Sequence, residues 1–405
     1  MATFNFAVWI IGSFCALLLV IKFIFTGLTF LSPKRKFPPG DKKNSFACII
    51  TAYQNIEITR PLVLSILQQN YRNYHIYLVA DDCASDDYGI EHNQLTVIKP
   101  ETRLGSKVRS MHYAIKFFEQ PPDFVIIFDP DNLIHPDFFF NINTMINNGY
   151  QVVQGERKAK NLDTRVACID ALGEIYANHT SRLIPFQLGA SASIAGSGMA
   201  IAYPVFLDLF EYRLIKQNFN GIILGEDKAL QCFLLENNVT VAYQKEAVVY
   251  DEKISKGYQI QRQRARWANT YLQNFPVIMR IFFRNVVKFN FKGVLSAFNI
   301  IYPPMFLLII FSLFVSLVGA FAGLWITIIL LIALIIFSLN FLLVLFLSNS
   351  PRKIWSSLFY IPVFIFHQVI GLFNIGKSKK DFLATRNEKI MTVEEVMLKN
   401  NGKLD

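Results

Sequence analysis

Phe124-Val125-Ile126-Ile127-Phe128-Asp129-Pro130-Asp131-Asn132 decides how this chain is read. Five apolar residues in a row have the length of a buried strand, and they run into turn formers that open on a carboxylate. The same arrangement stands upstream, where the apolar run 74–80 ends at Asp81-Asp82, and earlier still the run 46–52 ends in a loop. Between them, residues 58–69 have helical spacing, and a helix is expected near 107–118. Strands alternating with helices predict one α/β domain over about 44–275 with a largely parallel sheet. In such sheets the ligand sits outside the carboxyl ends of the strands, where the first two acidic clusters fall.

Composition limits the function class. The chain has 405 residues, 53% of them hydrophobic and 17% charged, with a mean hydropathy of +0.33. That is too apolar for an ordinary soluble protein, yet the middle of the chain keeps its charge. Many of the cations behind the formal net charge of +10 sit beside apolar stretches. Anionic headgroups and the positive-inside rule account for them there, and nucleic acid is not expected as a partner. Cys15, Cys48, Cys83, Cys168 and Cys232 are odd in number and lack CxxC spacing, so neither a disulfide framework nor a zinc site is expected.

Residues 4–31 form an apolar stretch broken only by Lys22 and followed by Ser32-Pro33-Lys34-Arg35-Lys36. It is longer than the roughly 20 residues that span a bilayer. With no cation before it and no small-residue cleavage pattern after it, it reads as an uncleaved anchor over residues 1–32. The positive-inside rule then puts the N-terminus outside and the catalytic region in the cytoplasm, in an integral protein of the plasma (inner) membrane. From Val294 to Pro351 there is no charged residue, and Gly319 and Gly323 divide the run into spans near 301–319 and 324–347, a hairpin with its turn outside. Residues 354–376 are apolar again, with Pro362 inside and cations on both flanks. This predicts a re-entrant or interfacial segment within a membrane region 301–376, with a fourth crossing as its competitor. Arg280, Arg284, Lys288 and Lys292 recur every four residues among Ile278, Ile281, Phe282, Val286, Val287 and Phe289. That stripe predicts amphipathic helices over 276–300 lying on membrane lipids. The tail 377–405 is polar, and it reads either as unstructured or as carrying a short helix from Val393.

Asp129-Pro130-Asp131 has a bland reading as a turn. A nucleotide diphosphate, however, needs its charge neutralised as its bond to the sugar breaks, and hard oxygen ligands such as these hold Mg2+ or Mn2+ for that purpose. Asp227, beside Glu226 at the head of a helix expected over 228–236, suits a helix cap and equally a base that takes the proton of an attacking hydroxyl. Gln263, Arg264, Arg266 and Trp267 suit a solvated or headgroup-facing helix, or else charge compensation for a diphosphate with a flat face for a sugar.

Taken in order, Ile50-Thr51-Ala52-Tyr53, Val79-Ala80-Asp81-Asp82-Cys83, Asp129-Pro130-Asp131, Gly196-Ser197-Gly198-Met199, Gly225-Glu226-Asp227 and Gln263-Arg264-Ala265-Arg266-Trp267 resemble membrane-integrated glycosyltransferase family 2, the group of cellulose, hyaluronan and poly-N-acetylglucosamine synthases. The resemblance covers about 44–270. It implies a GT-A (Rossmann-like) fold with N- and C-terminal transmembrane helices, and inverting transfer from a nucleotide sugar, usually UDP-linked, with Mg2+ or Mn2+. It implies that Thr51, Tyr53 and Asp81 contact base and ribose, that Lys107 lies near the donor, that Asp129 meets donor and metal, and that Asp131 meets the metal. Asp227 would be the base, with Glu226 beside it; Gln263, Arg266 and Trp267 would hold diphosphate and acceptor, and Gly196, Ser197 and Gly198 would form the acceptor-side loop. The expected acceptor is a growing surface polysaccharide of hexose or N-acetylhexosamine. The alternative is one sugar added to a membrane lipid, and a scaffold or transport component is the third reading. A partner subunit or homo-oligomer is compatible with all three. Phe382-Leu383-Ala384-Thr385-Arg386 resembles a motif that follows the last membrane segment in relatives.

Overall fold

The computed structural model describes residues 2–84, 88–216, 225–373 and 389–400. Among them, eight strands, β1 (Phe46–Tyr53), β2 (Tyr74–Asp81), β3 (Leu95–Ile98), β4 (Phe124–Phe128), β5 (Leu133–Ile134), β6 (Val152–Ala159), β7 (Met199–Ala202) and β8 (Val241–Asp251), form one sheet. Its order is β3-β2-β1-β4-β7-β6-β8-β5. β1 runs parallel to β2 and β4, β2 to β3, and β6 to β8; β7 opposes both its neighbours and β5 opposes β8. Followed through, these pairings point every described strand except β7 and β5 the same way, as the alternation of strands and helices predicts. The ends of β1, β2, β4, β6 and β8 therefore meet at one edge. That edge collects Tyr53, Asp81, Asp129 and Asp251.

Helix α1 (Ala2–Leu31) precedes the sheet, and α2 (Arg60–Leu67), α3 (Lys107–Ala114), α4 (Phe138–Asn147), α5 (Arg165–Ala177), α6 (Ile184–Gln187), α7 (Tyr203–Glu211), α8 (Arg213–Lys216) and α9 (Glu226–Glu236) alternate with its strands. Packing on both faces explains why β4 is apolar throughout: Val125 to Phe128 are fully buried. Phe138, Phe139, Ile142 and Met145 of α4 are likewise removed from solvent. A π-helical segment, Asn178–Leu183, joins α5 to α6.

Helix α10 (Gly257–Val287) is 31 residues long and passes through Pro276 without a break. The sequence reading had separate amphipathic helices over 276–300. Instead, the first part of the basic stripe closes the helix that begins with the Gln-x-x-Arg-Trp run, and only α11 (Phe291–Ile301) stands apart. Pro276 removes one backbone donor, and Ile278 and Ile281, each 1% exposed, anchor the helix beyond it against Cys232, Leu235, Ala297 and Ile300. At the end of this helix, Phe283, Val287 and Phe289 stay exposed beside Arg280, Arg284 and Lys288.

The remaining helices are α12 (Met305–Ala322), α13 (Leu324–Leu347), α14 (Arg352–Ser357), α15 (Ile361–Phe373) and α16 (Val393–Asn400). Four stretches are long and apolar enough to cross a membrane: Thr3–Leu31, Met305–Ala322, Leu324–Leu347 and Arg352–Leu372. The first three pack together. At Gly12 a Cβ would stand 2.6 Å from Ile326, so glycine permits the close approach of α1 and α13. The fourth stretch packs along α10 and α5, with Phe364 among Ile260, Ile169 and Leu172. Lys22, the one charge in α1, is 3% exposed and donates to the Thr180 carbonyl (3.3 Å) and to Asn299 Oδ1 (3.2 Å). It ties α1 to the α/β domain and to α11. The tail is not wholly unstructured: α16 packs Val393 and Val396 on Leu133, Val248 and Tyr250. The 382–386 motif lies outside the described residues.

Candidate active site

The site is assembled at the shared strand edge. β2 ends at Asp81, which is 2% exposed and accepts the backbone N–H of Leu104 and of Gly105, both at 2.7 Å. These bonds fix the loop that starts α3, and α3 opens with Lys107. Lys107 Nζ stands 2.5 Å from Asp129 Oδ1 and 2.9 Å from the Gly196 carbonyl oxygen, so it joins the end of β4 to the loop before β7. Burial works against its charge, but the carboxylates of Asp129, Glu226 and Asp227 outweigh burial and hold its pKa above the ordinary lysine value. In return, burial of Asp129 is outweighed by Lys107 and Arg157, and its pKa lies below the usual carboxylate range.

Asp131 behaves differently. It is 6% exposed and accepts the Glu252 N–H at 3.0 Å, and Lys160 Nζ bonds its backbone carbonyl rather than its carboxylate. Burial, with Asp129 and Asp251 nearby, pushes its pKa up to about 7. Among the described residues no three His, Cys, Asp or Glu side chains converge as a self-sufficient metal cage. A donor set of one or two carboxylates fits Mg2+ or Mn2+ that completes its shell with phosphate oxygens and water.

Asp227 sits in the first turn of α9, after Gly225 as the N-cap, and its Oδ1 accepts the Lys228 N–H at 2.9 Å. Gly225 has φ +74°, and a Cβ there would stand 1.9 Å from Thr270 Cγ2. Glycine at this position lets α10 lie against the start of α9. A Cβ on Gly196 would meet Asp227 Cβ at 3.6 Å, so the glycine loop and Asp227 are neighbours. Ser197 is fully buried, and its carbonyl accepts Gln154 Nε2 at 3.0 Å. Gly198, with φ +62°, leaves no room for a Cβ against Val249.

Thr51 and Tyr53 lie at the end of β1, paired with Val79 and Asp81, and the Arg103 guanidinium stands 5.3 Å from the Tyr53 ring centre. A polar pocket lined by Asp82, Cys83, Lys99, Glu101 and Arg103 opens beside them. The structure thus brings together Thr51, Tyr53, Asp81, Lys107, Asp129, Asp131, Gly196, Glu226 and Asp227. It does not bond Gln263 or Arg266 to Asp129, Asp131 or Asp227 among the described residues. In that run Arg264 turns inward, donating to Asp170 Oδ1 of α5 at 2.8 Å, with its guanidinium 4.2 Å from the Trp267 ring centre. The Gln263 side-chain carbonyl is buried with no hydrogen-bond partner, and Trp267 is 47% exposed.

Behind the rim lies a buried charge cluster absent from the sequence reading. Arg157 donates to the Ala195 carbonyl at 2.6 Å and pairs with Asp251. Glu174 Oε1 accepts Arg182 at 2.7 Å, and Glu174 Oε2 lies 3.5 Å from Lys253 Nζ and 3.9 Å from Arg157 Nε. Burial would raise the Glu174 pKa, but Arg157, Arg182 and Lys253 override it and hold the pKa far below the carboxylate range. Gln154 Oε1 and Gln231 Oε1 accept the N–H groups of Ala195 and Ile194, so the glycine loop is held from three sides. The strand-end rule that marks Asp81 and Asp129 also marks Asp251, after Val248-Val249-Tyr250. Glu174 carried no such signal, because it lies within a helix.

The family described as "Glycosyltransferase like family 2" matches residues 43–270, more than half of the chain. The chain belongs to glycosyltransferase family 2. It is a glycosyltransferase, and its fold is GT-A. A mannosyltransferase from Pyrobaculum calidifontis, solved with GDP-Man and Mn2+, is similar in fold at a TM-score of 0.57 and 14% identity, over 92% of this chain and 99% of that one. Two structures of S. aureus TarS, one of its residues 1–349 with UDP, align at TM-scores of 0.36 and 0.37 and identities of 16% and 15%. They cover 55% and 54% of this chain and 39% and 63% of theirs, and likenesses that remote carry no argument. No curated protein matches the chain. Its rim carboxylates lie at the carboxyl ends of the strands, the edge where open α/β sheets take their ligand.

Proposed function

We propose that this enzyme is membrane-integrated and transfers a hexose or N-acetylhexosamine, with inversion, from a UDP-linked sugar to a growing surface polysaccharide. The observation that carries the reading is the placement of Lys107 between Asp129 and the Gly196 loop, with Asp227 on the other side of that glycine. In this reading Thr51, Tyr53 and Asp81 face base and ribose, Asp129 and Asp131 hold the divalent cation, and Lys107 meets the donor. Mg2+ or Mn2+ held by Asp129 and Asp131 would supply charge neutralisation for the departing diphosphate. Asp227 takes the proton of the acceptor hydroxyl as its oxygen attacks the anomeric carbon; the bond to the diphosphate oxygen breaks, and its electron pair leaves with the nucleoside diphosphate. Glu226 is the neighbouring alternative: burial raises its pKa, and Lys107, which faces Asp227 as well, opposes that rise.

The helix with Gln263, Arg266 and Trp267 supports a membrane-proximal acceptor, since α15 packs along it and its far end carries exposed Phe and Lys together. Gln263 and Arg266 meet the diphosphate and Trp267 the acceptor sugar once substrates are bound. The cations after α1 and after α13 support a cytoplasm-facing catalytic domain with the N-terminus outside. The cellulose- and hyaluronan-synthase type of family 2 is the subgroup this reading favours. The test is to incubate detergent-purified protein with Mn2+, radiolabelled UDP-sugars and lipid extract, then to size the labelled products. A polydisperse polymer is expected. A single lipid-sized product transfers the reading to a lipid glycosyltransferase, and turnover of GDP-sugars alone overturns the UDP assignment.

A further inference from the structure

The described C-terminal residues return to the catalytic domain close to Asp131. Helix α16 opens with a reciprocal cap: Glu395 N–H donates to Thr392 Oγ1 at 3.3 Å, and Thr392 N–H donates to Glu395 Oε2 at 3.1 Å. An isolated helix of eight residues does not hold in water, so its order depends on burial of Val393 (4% exposed) and Val396 (fully buried) against Leu133 of β5 and Val248 and Tyr250 of β8. β5 is the edge strand of the sheet, and Leu133 lies two residues beyond Asp131. Ahead of the helix, the Lys389 N–H donates to Glu252 Oε2 at 3.0 Å, and the Lys389 ammonium pairs with Asp163. Glu252 is the residue whose own N–H bonds the Asp131 carboxylate. The C-terminal segment thus reaches the surroundings of Asp131 from two sides, through β5, which begins two residues beyond it, and through Glu252, its hydrogen-bond donor.

We propose that Lys389 and α16 form an intramolecular brace that positions Asp131, so that docking of the C-terminal helix and binding of a divalent cation are coupled. This rests on the reading of Asp131 as a cation ligand. Groups that orient a metal ligand affect metal affinity about 10–100-fold. The brace acts one bond further out, and about a threefold to tenfold effect is expected. A helix that merely covers an apolar sheet edge also adds stability, but it has no reason to sense the cation. A brace must, because coupling between two binding events is reciprocal.

The experiment uses the full chain in detergent, with Val396→Asp to undock α16 and Glu252→Ala to cut the link to Lys389 while keeping the backbone donor to Asp131. Binding of Mn2+ in the presence of UDP is read by electron paramagnetic resonance, and hydrogen exchange over 393–400 is read with and without Mn2+ and UDP. Both variants should need about three to ten times more Mn2+ for half-saturation, with kcat at saturating Mn2+ kept within about twofold. In the unsubstituted enzyme, Mn2+ with UDP should slow exchange in α16. Superimposed Mn2+ titrations, or exchange in α16 that ignores the cation, overturn the brace. Mn2+ binding by the unsubstituted enzyme that is unchanged in Asp131→Asn overturns the assignment of the ligand itself, a distinct result.

Discussion

The rim of the sheet and the cluster behind it use the same residue types to opposite ends. At the rim, Asp129, Glu226 and Asp227 all face the Lys107 ammonium, while Asp131 has, among the described residues, only the Lys160 ammonium nearby, bonded to its backbone carbonyl rather than its carboxylate. In the cluster, Glu174 and Asp251 face Arg157, Arg182 and Lys253, and all five are bonded into one network. Charge left unbalanced at the ends of strands is available to a ligand. Charge matched in the interior holds the fold, because an unpaired buried ion is costly.

That contrast makes separable forecasts. The largest effect falls at the rim: Asp227→Asn is expected to lower kcat about 10²–10⁴-fold with unchanged UDP binding and an unchanged denaturation midpoint. A matching loss of stability would erase the distinction between the two regions. Next comes the cluster, where Glu174→Ala removes the carboxylate partner of Arg182 and leaves Arg157 and Lys253 to Asp251 alone, and should cost about 3–5 kcal/mol in denaturant titration. The pH response has a definite sign. The folded-state pKa of Glu174 is depressed, so its contribution is present above the unfolded value of about 4.3 and is lost as pH falls below it. Glu174→Gln should flatten the acid limb of the stability profile, and an unaltered limb would show that another group governs it.

Gly225→Ala sharpens the boundary between the regions. The left-handed φ of +74° and the clash with Thr270 Cγ2 displace the turn that carries Glu226 and Asp227. A cost of about 1–2 kcal/mol is expected from the backbone conformation, together with a drop in kcat. Adding Thr270→Ser removes the clashing methyl and should restore part of the activity but not the backbone term. The smallest effect belongs to Lys22→Met. It loses bonds to Thr180 and Asn299 but also sheds a buried charge, and a shift of about 1 kcal/mol in thermal stability is expected, with kcat unchanged.

Legibility followed the same division. The apolar strands β1, β2 and β4 are readable because both their faces are covered and each ends on a polar turn. β6 was not readable: its sequence, Val-Val-Gln-Gly-Glu-Arg-Lys-Ala, is polar in its second half, where Arg157 is held by the cluster and Glu156 pairs with the exposed Lys158. Pro276 read as a boundary between domain and interfacial helix, but Ile278 and Ile281 continue α10 beyond it by packing on α9 and α11. The apolar residues of α16 are too few to announce a docked helix. They matter because β5 and β8 offer an apolar face that no local pattern displays.

By itself the sequence determined the α/β alternation, the carboxylates at the strand ends and the long apolar helices, since each depends on local periodicity and on which residues can follow a buried strand. Tertiary structure alone decided the insertion of β7 against its neighbours, the joining of Lys107 to Asp129 and Gly196, the pairing of Glu174 with three cations, and the return of the chain to Glu252. These are contacts between residues far apart in the chain. A side chain's charge is written in the sequence, but whether that charge is spent on a partner depends on what the fold brings within about 4 Å of it.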